Sequence, residues 1–324
     1  MRRALLVVAL LADGSFNVNG VWSPSKSLPI ARVAAAPAPA CTSRQRYSWR
    51  PERPKAGSFV ELRVTDVADG EQLQATVAGE PLHFLVRSGD TLVALAPIPI
   101  DSSNGVTLRV SCGAAPSDTV AIRIRVSPTR YPVERLTVDP RFSAAPDSAT
   151  IERMRQEGNR AAAVSRESHH TPRLWTRPFV APRRSRITSG YGRGREFNGA
   201  ITSRHMGTDF AGQVGAPVYA ANRGVVRLVD EFYLGGNVVY LDHGAGLITA
   251  YLHMSQTLVA VGDTVERGVL LGRVGATGRV TASHLHLIAR YGSISLDAMS
   301  LLAITQPRTA TRRPAVKIPT PPKA

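Results

Sequence analysis

The feature that most constrains the fold is a succession of short apolar runs with period-two alternation, each bounded by turn residues. Alternation of apolar and polar residues over four to eight positions is typical of a half-buried β-strand. Several short strands at this spacing predict a small β-sandwich of immunoglobulin-like type. Five such runs lie between Ser58 and Val126: Phe59–Val64, Leu73–Val77, Leu92–Leu95, Val106–Val110 and Val120–Val126.

A second region, from Ile187 to about Leu302, is rich in glycine and β-branched residues and has no amphipathic helix of useful length. It predicts an antiparallel sheet with tight glycine turns. The fold class is therefore all-β, and 324 residues allow two domains plus connectors. The expected organisation is a signal peptide and exported segment at 1–36, a sandwich at 41–128, a partly helical linker at 129–186, a second β domain at 187–303 and a basic, Pro-rich, disordered tail at 304–324.

The linker contains the adjacent histidines His169 and His170, which are expected to be a solvated pair, with binding of stray metal as the alternative. Asp147 to Val164 has the start signals and apolar spacing of a helix.

The chain has 40 Lys and Arg against 24 Asp and Glu, a formal net charge of +16. This predicts attraction to an anionic partner, with nucleic acid, a membrane surface and an acidic wall polymer as candidates. Much of the charge lies in the linker and tail, without an aromatic platform or a nucleic-acid motif, so no specific nucleic-acid partner is expected.

The N-terminus indicates export. Met1-Arg2-Arg3 before the apolar stretch 4–12 resembles the start of a secretory signal peptide, with a disordered basic start as the alternative. No apolar run is long enough to span a bilayer, so no transmembrane segment is expected in the mature protein. The expected location is the periplasm or cell envelope. Lipid attachment at Cys41 is not expected, because Cys41 lies far from the apolar run; Cys41 and Cys112 could instead form one disulfide or remain two unrelated thiols.

Five of the eight histidines lie in the second region. His284 and His286 belong to an apolar run that reads as a strand, so both imidazoles point to the same face. His205 and Asp209 lie four residues apart, in a turn that enters a strand. Two histidines and one aspartate would provide three ligands and leave a fourth zinc position for water. A further histidine has the right pKa to accept a proton from that water.

These residues resemble those of the lysostaphin-type (LytM-domain) zinc metallopeptidases, which cleave peptidoglycan cross-bridges. The resemblance covers roughly Ile187 to Leu302 and implies one zinc ion per chain. The motifs that carry it are Ser189-Gly190-Tyr191-Gly192, His205-Met206-Gly207-Thr208-Asp209-Phe210, Tyr251-Leu252-His253-Met254-Ser255 and Gly278-Arg279 through His284-Leu285-His286.

The resemblance implies that His205, Asp209 and His286 hold zinc. It also implies that His253 and His284 flank the bound water, one deprotonating it and the other stabilising the oxyanion or protonating the leaving amine. Tyr191 is a candidate for orienting the substrate, with simple packing as the alternative. The chain has Ala282-Ser283 where the family usually has a proline before the His-x-His pair, and Leu287-Ile288 where Phe-Glu is common. These departures could alter the groove or the substrate choice.

Two functions remain in competition at this stage. The first is an exported zinc endopeptidase that hydrolyses amide bonds in peptidoglycan peptides. The second is a non-catalytic LytM-like domain that activates a separate cell-wall amidase; such relatives typically lack metal ligands, which this chain retains. The sequence leaves open which bond is cleaved, whether a glycine bridge, a D-amino-acid cross-link or a protein loop, and it leaves the oligomeric state open.

Overall fold

The alternating runs of the N-terminal half form two antiparallel sheets of four strands each. The computed structural model describes residues 45–68, 73–112, 119–142, 145–199 and 201–306, so the predicted signal peptide, Cys41 and most of the predicted tail lie outside the described residues. The strands are β1 (Arg46–Arg50), β2 (Phe59–Thr65), β3 (Gln74–Val77), β4 (Glu80–Pro81), β5 (Leu85–Ser88), β6 (Thr91–Pro97), β7 (Val106–Ser111) and β8 (Thr119–Ile124).

One sheet has the order β1-β2-β6-β5 and the other β4-β3-β7-β8. Alternate side chains of both sheets, such as Leu62 and Val64 of β2 and Leu108 and Val110 of β7, are fully buried in one apolar cluster. The predicted strands are thus confirmed, while the immunoglobulin-like type stays a prediction. Cys112 is disulfide-bonded, and its pairing with Cys41 stays a prediction, because Cys41 lies outside the described residues.

After the sandwich come strand β9 (Val133–Leu136) and helix α1 (Ser148–Glu167). The side chain of Asp147 caps the helix by accepting from the backbone N–H of Thr150 at 2.7 Å, at the predicted N-terminus. The helix runs three residues beyond the predicted end, and Ala161 packs against Tyr240 and Ile248 in a small apolar cluster. Neither helix in the described ranges has the length and apolar character needed to cross a membrane.

The second region forms a ten-stranded sheet with a main path β10-β13-β20-β17-β16-β15-β18. A short helix, α2 (Ala298–Thr305), follows it. The elements are β10 (Ile187–Ser189), β11 (Gly194–Phe197), β12 (Ile201–Arg204), β13 (Thr208–Ala211), β14 (Pro217–Tyr219), β15 (Gly224–Phe232), β16 (Gly236–Gly244), β17 (Leu247–Thr257), β18 (Thr264–Val265), β19 (Leu270–Val274), β20 (His284–Tyr291), β21 (Ile294–Leu296) and α2 (Ala298–Thr305).

Strand β9, in the segment predicted as linker, is paired in a sheet. It pairs in parallel with β11, and with β12 the two make a separate three-stranded sheet beside the large one. The register places Glu134 opposite Arg195. A segment predicted as linker therefore forms part of the second region.

The sandwich and the large sheet are joined by polar contacts as well as by a shared apolar cluster. His169, expected as a solvated linker residue, instead lies between them: its ring nitrogens face Glu80 and His83, each at 2.9 Å. Tyr291 of β20 donates to the carbonyl of Pro81 at 2.9 Å. The expectation for His169 was wrong, because the glutamate and histidine that partner it lie more than eighty positions away.

Candidate active site

Three side chains converge where β13 meets β20. His205 lies in the turn before β13, Asp209 lies on β13, and the register places Asp209 directly opposite His286 of β20. His205 Nε2 lies 2.9 Å from Asp209 Oδ1 and 3.0 Å from His286 Nδ1, and Asp209 Oδ1 lies 2.7 Å from His286 Nδ1. The three predicted ligand atoms therefore form one small triangle, and all three residues are buried.

Hydrogen bonds fix the orientation of this triangle. His205 Nδ1 lies 2.8 Å from the carbonyl oxygen of Gly190, which can only accept, so Nδ1 carries the proton and the lone pair of Nε2 faces the carboxylate. Burial by itself would raise the pKa of Asp209, but the adjacent imidazoles of His205 and His286 outweigh it and hold the pKa well below its usual range. Burial lowers the pKa of His286 to about 4, against the opposing pull of Asp209.

This donor set fits a catalytic zinc ion. Two imidazole nitrogens and one carboxylate oxygen, each in a form that can offer a lone pair, are a common three-residue set for zinc that keeps a further position open. A lone pair aimed at a carboxylate in a buried site is unfavourable unless a proton or a cation lies between them. The chemistry of the triangle therefore favours occupation by a cation.

The close packing around His286 leaves no room for a side chain at position 207. A Cβ atom on Gly207 would lie 2.5 Å from His286 Nε2 and 2.6 Å from the carbonyl oxygen of Leu287. Gly207 does not have a positive φ, so its role is steric and not conformational. Glycine is required here because the turn before β13 and the imidazole of His286 on β20 approach so closely.

His253 and His284 lie beside the triangle. Their ring centroids are 5.0 Å apart, and the centroid of His253 is 5.7 Å from that of His286. His253 Nδ1 donates to the carbonyl of Thr277 and His284 Nδ1 to that of Ala282, both at 2.8 Å, so each Nε2 is left with a lone pair. His284 Nε2 is buried without a hydrogen-bond partner among the described residues and lies 3.6 Å from Asp209 Oδ1.

His253 is held in an unusual backbone conformation. Its φ of +63° lies in the left-handed region, which a non-glycine residue rarely adopts and which is concentrated at functional sites. Burial lowers the pKa of His253 well below its ordinary value, and the neighbouring imidazoles of His286 and His284 lower it further. The imidazole of His253 is therefore neutral at pH 7 and able to accept a proton.

The outer oxygen of Asp209 is held by a residue that sequence reasoning missed. The guanidinium of Arg195, on β11, donates to Asp209 Oδ2 at 2.6 Å, and both side chains are largely buried. Glu134 of the linker strand accepts from Ser189 Oγ at 2.8 Å and lies 3.8 Å from Arg195 Nε. Nothing in the sequence pairs Glu134 with Arg195, because the pairing depends on the parallel register of β9 and β11.

A cavity of about 280 Å³ opens beside Asp209 and His284. Its walls come from β9, from β11 and from the loop before β20, which includes Ala282 and Ser283, two of the positions where the chain departs from the usual motif. The segment 193–203 contributes Arg195 and Phe197 to these walls. The cavity is the place where a substrate amide could approach the histidines.

Tyr191 and His243 do not line this cavity. The hydroxyl of Tyr191 donates to the carbonyl of Ser295 at 2.7 Å, and its ring packs edge to face on Tyr131. Tyr191 is buried and does not line the cavity beside Asp209, which favours packing, the alternative left open by the sequence. His243 is fully buried between the carbonyl of Arg223 and the hydroxyl of Thr249, and burial lowers its pKa to about 4.

An antiparallel β-sheet with a histidine and aspartate triangle on one face defines a class of metallopeptidase-like domains, and comparison with known families agrees. Residues 203–298 match the model of peptidase family M23, so the chain carries an M23 domain. This confirms the resemblance that the motifs indicated. The match begins just before His205 and includes the other four site residues, while Glu134 and Arg195 lie outside it.

The matched relatives are larger proteins. The chain is 48% identical over 82 residues to the peptidoglycan DD-endopeptidase ShyA of Vibrio cholerae, covering 25% of this chain and 19% of ShyA. It is 39% identical over 108 residues to the glycyl-glycine endopeptidase ALE-1 of Staphylococcus capitis, covering 33% of this chain and 30% of ALE-1. The chain thus spans less than a third of the length of these curated relatives.

A solved structure extends the likeness beyond the M23 domain. A Pseudomonas aeruginosa protein, crystallised as a candidate peptidase M23, superposes with a TM-score of 0.59 at 25% identity, over 78% of this chain and 96% of that one. This coverage is more than twice the length of the M23 match, so the region before it also has a counterpart in that structure.

Proposed function

We propose that the chain is a zinc-dependent endopeptidase of the cell envelope that hydrolyses amide bonds in peptidoglycan peptide cross-links. The observation that carries the proposal is the convergence of three ligand atoms, within 3.0 Å of one another, beside two imidazoles whose Nε2 atoms are free to exchange protons. Both a DD-endopeptidase and a glycyl-glycine endopeptidase are among the relatives of the M23 domain, which supports peptidoglycan as the substrate.

His205, Asp209 and His286 would hold the metal. A zinc ion bound there would act as a Lewis acid and lower the pKa of a water molecule to about 7. The Arg195 guanidinium holds the outer oxygen of Asp209, which keeps Oδ1 directed at the two imidazole nitrogens. The three ligands are thereby positioned before any metal arrives.

His253 and His284 supply the proton transfers. Each has its Nδ1 proton committed to a backbone carbonyl, so Nε2 can accept a proton from the attacking water. Once protonated, the same atom can donate a hydrogen bond to the oxyanion or deliver the proton to the leaving amine. In the balanced reaction the water oxygen bonds to the carbonyl carbon, the C–N bond breaks and the amine nitrogen takes up the proton. Either imidazole can take either role.

The location follows from the substrate. Peptidoglycan lies in the cell envelope, and the expected N-terminal signal peptide is consistent with export. The formal charge of +16 favours association with an anionic wall, an attraction that salt should weaken.

The test is digestion of purified peptidoglycan by the full chain, followed by mass analysis of the released fragments. Cross-linked fragments should fall to monomers, a chelator should stop the reaction, and zinc should restore it. Intact cross-links after incubation with zinc-loaded protein would contradict the proposal. Zinc binding without hydrolysis, together with stimulation of a separate cell-wall amidase, would instead support the non-catalytic alternative.

A further inference from the structure

The cavity beside Asp209 and His284 is lined by an excess of positive charge. Arg186, Arg195 and Arg279 line it, against the carboxylates of Glu134 and Asp209. Asp209 is a proposed metal ligand, and a zinc ion would add further positive charge. An uncharged peptide would provide no negative charge to pair with these arginines.

The three arginines differ in what they already contact. Arg195 is committed, because one of its nitrogens donates to Asp209 and another lies near Glu134. Arg279 has no carboxylate within 4 Å among the described residues, where the ion pairs of this region are made by Arg193 and Arg195. Burial lowers the pKa of Arg279, and the charge of Arg195 lowers it further. A partly buried cation with no counter-ion is unfavourable unless a ligand supplies one.

Arg279 is also held in place before any ligand binds. Its guanidinium carbon lies 4.1 Å from the ring centroid of Phe197, which is itself buried against Val138 and Phe142. Its backbone N–H donates to the carbonyl of Leu234 at 2.9 Å, which anchors the loop. A planar guanidinium fixed in this way can bind both oxygens of a carboxylate at little cost in conformational entropy.

We propose that Arg279, with Arg186 at the exposed rim, forms a subsite for a free carboxylate next to the scissile amide. A cavity of this volume is roughly 8 Å across, so a carboxylate held by Arg279 would lie within a few bonds of an amide at His284. The substrate class is then a cross-link in which the residue beside the cleaved bond carries a free carboxylate, as in a D-alanyl link to a diamino acid. An oligoglycine bridge has no such group.

This inference rests on the proposed function and goes beyond it, because the relatives of the M23 domain include endopeptidases named for both kinds of bond. A buried cation that pairs with a substrate group discriminates strongly against the analogue that lacks the group, since the cation is then left unpaired. Arg279 would therefore determine specificity, while the histidines carry the bond cleavage.

The experiment uses two synthetic cross-linked peptides that differ only in a carboxylate or a carboxamide beside the scissile bond. The full chain, loaded with zinc, should cleave the carboxylate peptide with a kcat/KM at least about tenfold higher. R279Q should bring this ratio towards one, and R279K should retain part of it. R184Q removes an exposed arginine outside the cavity and should keep the wild-type ratio.

Equal kcat/KM values for the two peptides, or an unchanged ratio in R279Q, would overturn the inference while leaving the proposed function intact. Direct binding of both peptides by calorimetry gives a readout that does not need turnover. If neither peptide nor purified peptidoglycan is cleaved, the proposed function fails. The inference is then decided by whether the wild type binds the carboxylate peptide more tightly and R279Q does not.

Discussion

Replacing Gly207 by alanine should displace His286, a proposed metal ligand, without changing the chemistry of its imidazole. The added Cβ would lie 2.5 Å from His286 Nε2 and 2.6 Å from the carbonyl oxygen of Leu287. Because the carbonyl belongs to the backbone of β20, it cannot move aside without disturbing the register with β13. The backbone of β20 and the imidazole of His286 must therefore shift together.

The size of the displacement sets the size of the effect. Ordinary van der Waals contact needs about 3.4 Å, so the His286 ring must move by roughly 1 Å, whereas metal–ligand distances tolerate only about 0.2 Å. A misplacement of about 1 Å at a reacting site costs on the order of 10²-fold in rate. Overpacking of this kind also lowers the free energy of unfolding by about 1–3 kcal/mol.

The assay is competition for zinc against a chromophoric chelator, together with urea unfolding of the metal-free protein. G158A is the matched control, because a Cβ on Gly158 of helix α1 meets nothing within 4 Å. It should leave zinc affinity unchanged and raise the free energy of unfolding by roughly 0.5–1 kcal/mol. If G207A binds zinc as tightly as the wild type and keeps its turnover, the steric argument is refuted.

Other predictions concern the histidines. H253A and H284A should each retain zinc and lose about 10²–10⁴-fold in kcat, as expected for general acid–base groups, whereas H286A should lose zinc itself; metal content measured beside kcat separates the two outcomes, and a zinc-free H253A would contradict the assignment. His243 is neutral and fully buried, with a pKa of about 4 in the folded protein against about 6.5 in the unfolded chain. Its contribution to the free energy of unfolding is therefore complete above pH 6.5 and is lost as the pH falls towards 4. Over this window His243 should lower the free energy of unfolding by about 3 kcal/mol, measured in urea on chelated protein; a pH slope in H243Q as steep as in the wild type would be inconsistent with this.

Much of the candidate site could be predicted because its groups follow local rules. Period two on a strand places His284 and His286 on one face whatever the rest of the chain does, and the register of β13 and β20 adds Asp209 to it. The sequence also indicated that His205 precedes a strand and does not belong to a helix, as the structure has it. The catalytic and ligand roles of these residues stay predictions.

Other interactions were beyond the reach of the sequence. Arg279 belongs to the motif that runs from Gly278 to His286, and its charge was the signal that could have identified it as a candidate binding residue. Glu134 and Arg195 offered no such signal, because sixty positions separate them and no local pattern links them. His169 was misjudged for the same reason, since its buried partners come from the sandwich.

The strands, the all-β class and the face on which the imidazoles lie follow from local sequence, because hydrophobic alternation and side-chain direction are set within a few residues. Which cation pairs with which carboxylate depends instead on the folded chain. The tertiary structure pairs linker strand β9 with β11, directs Arg195 at Asp209 and places Arg279 at the cavity with no carboxylate partner among the residues that the structure describes. Such contacts depend on chain segments brought together by long-range pairing, and local propensity carries no record of that pairing.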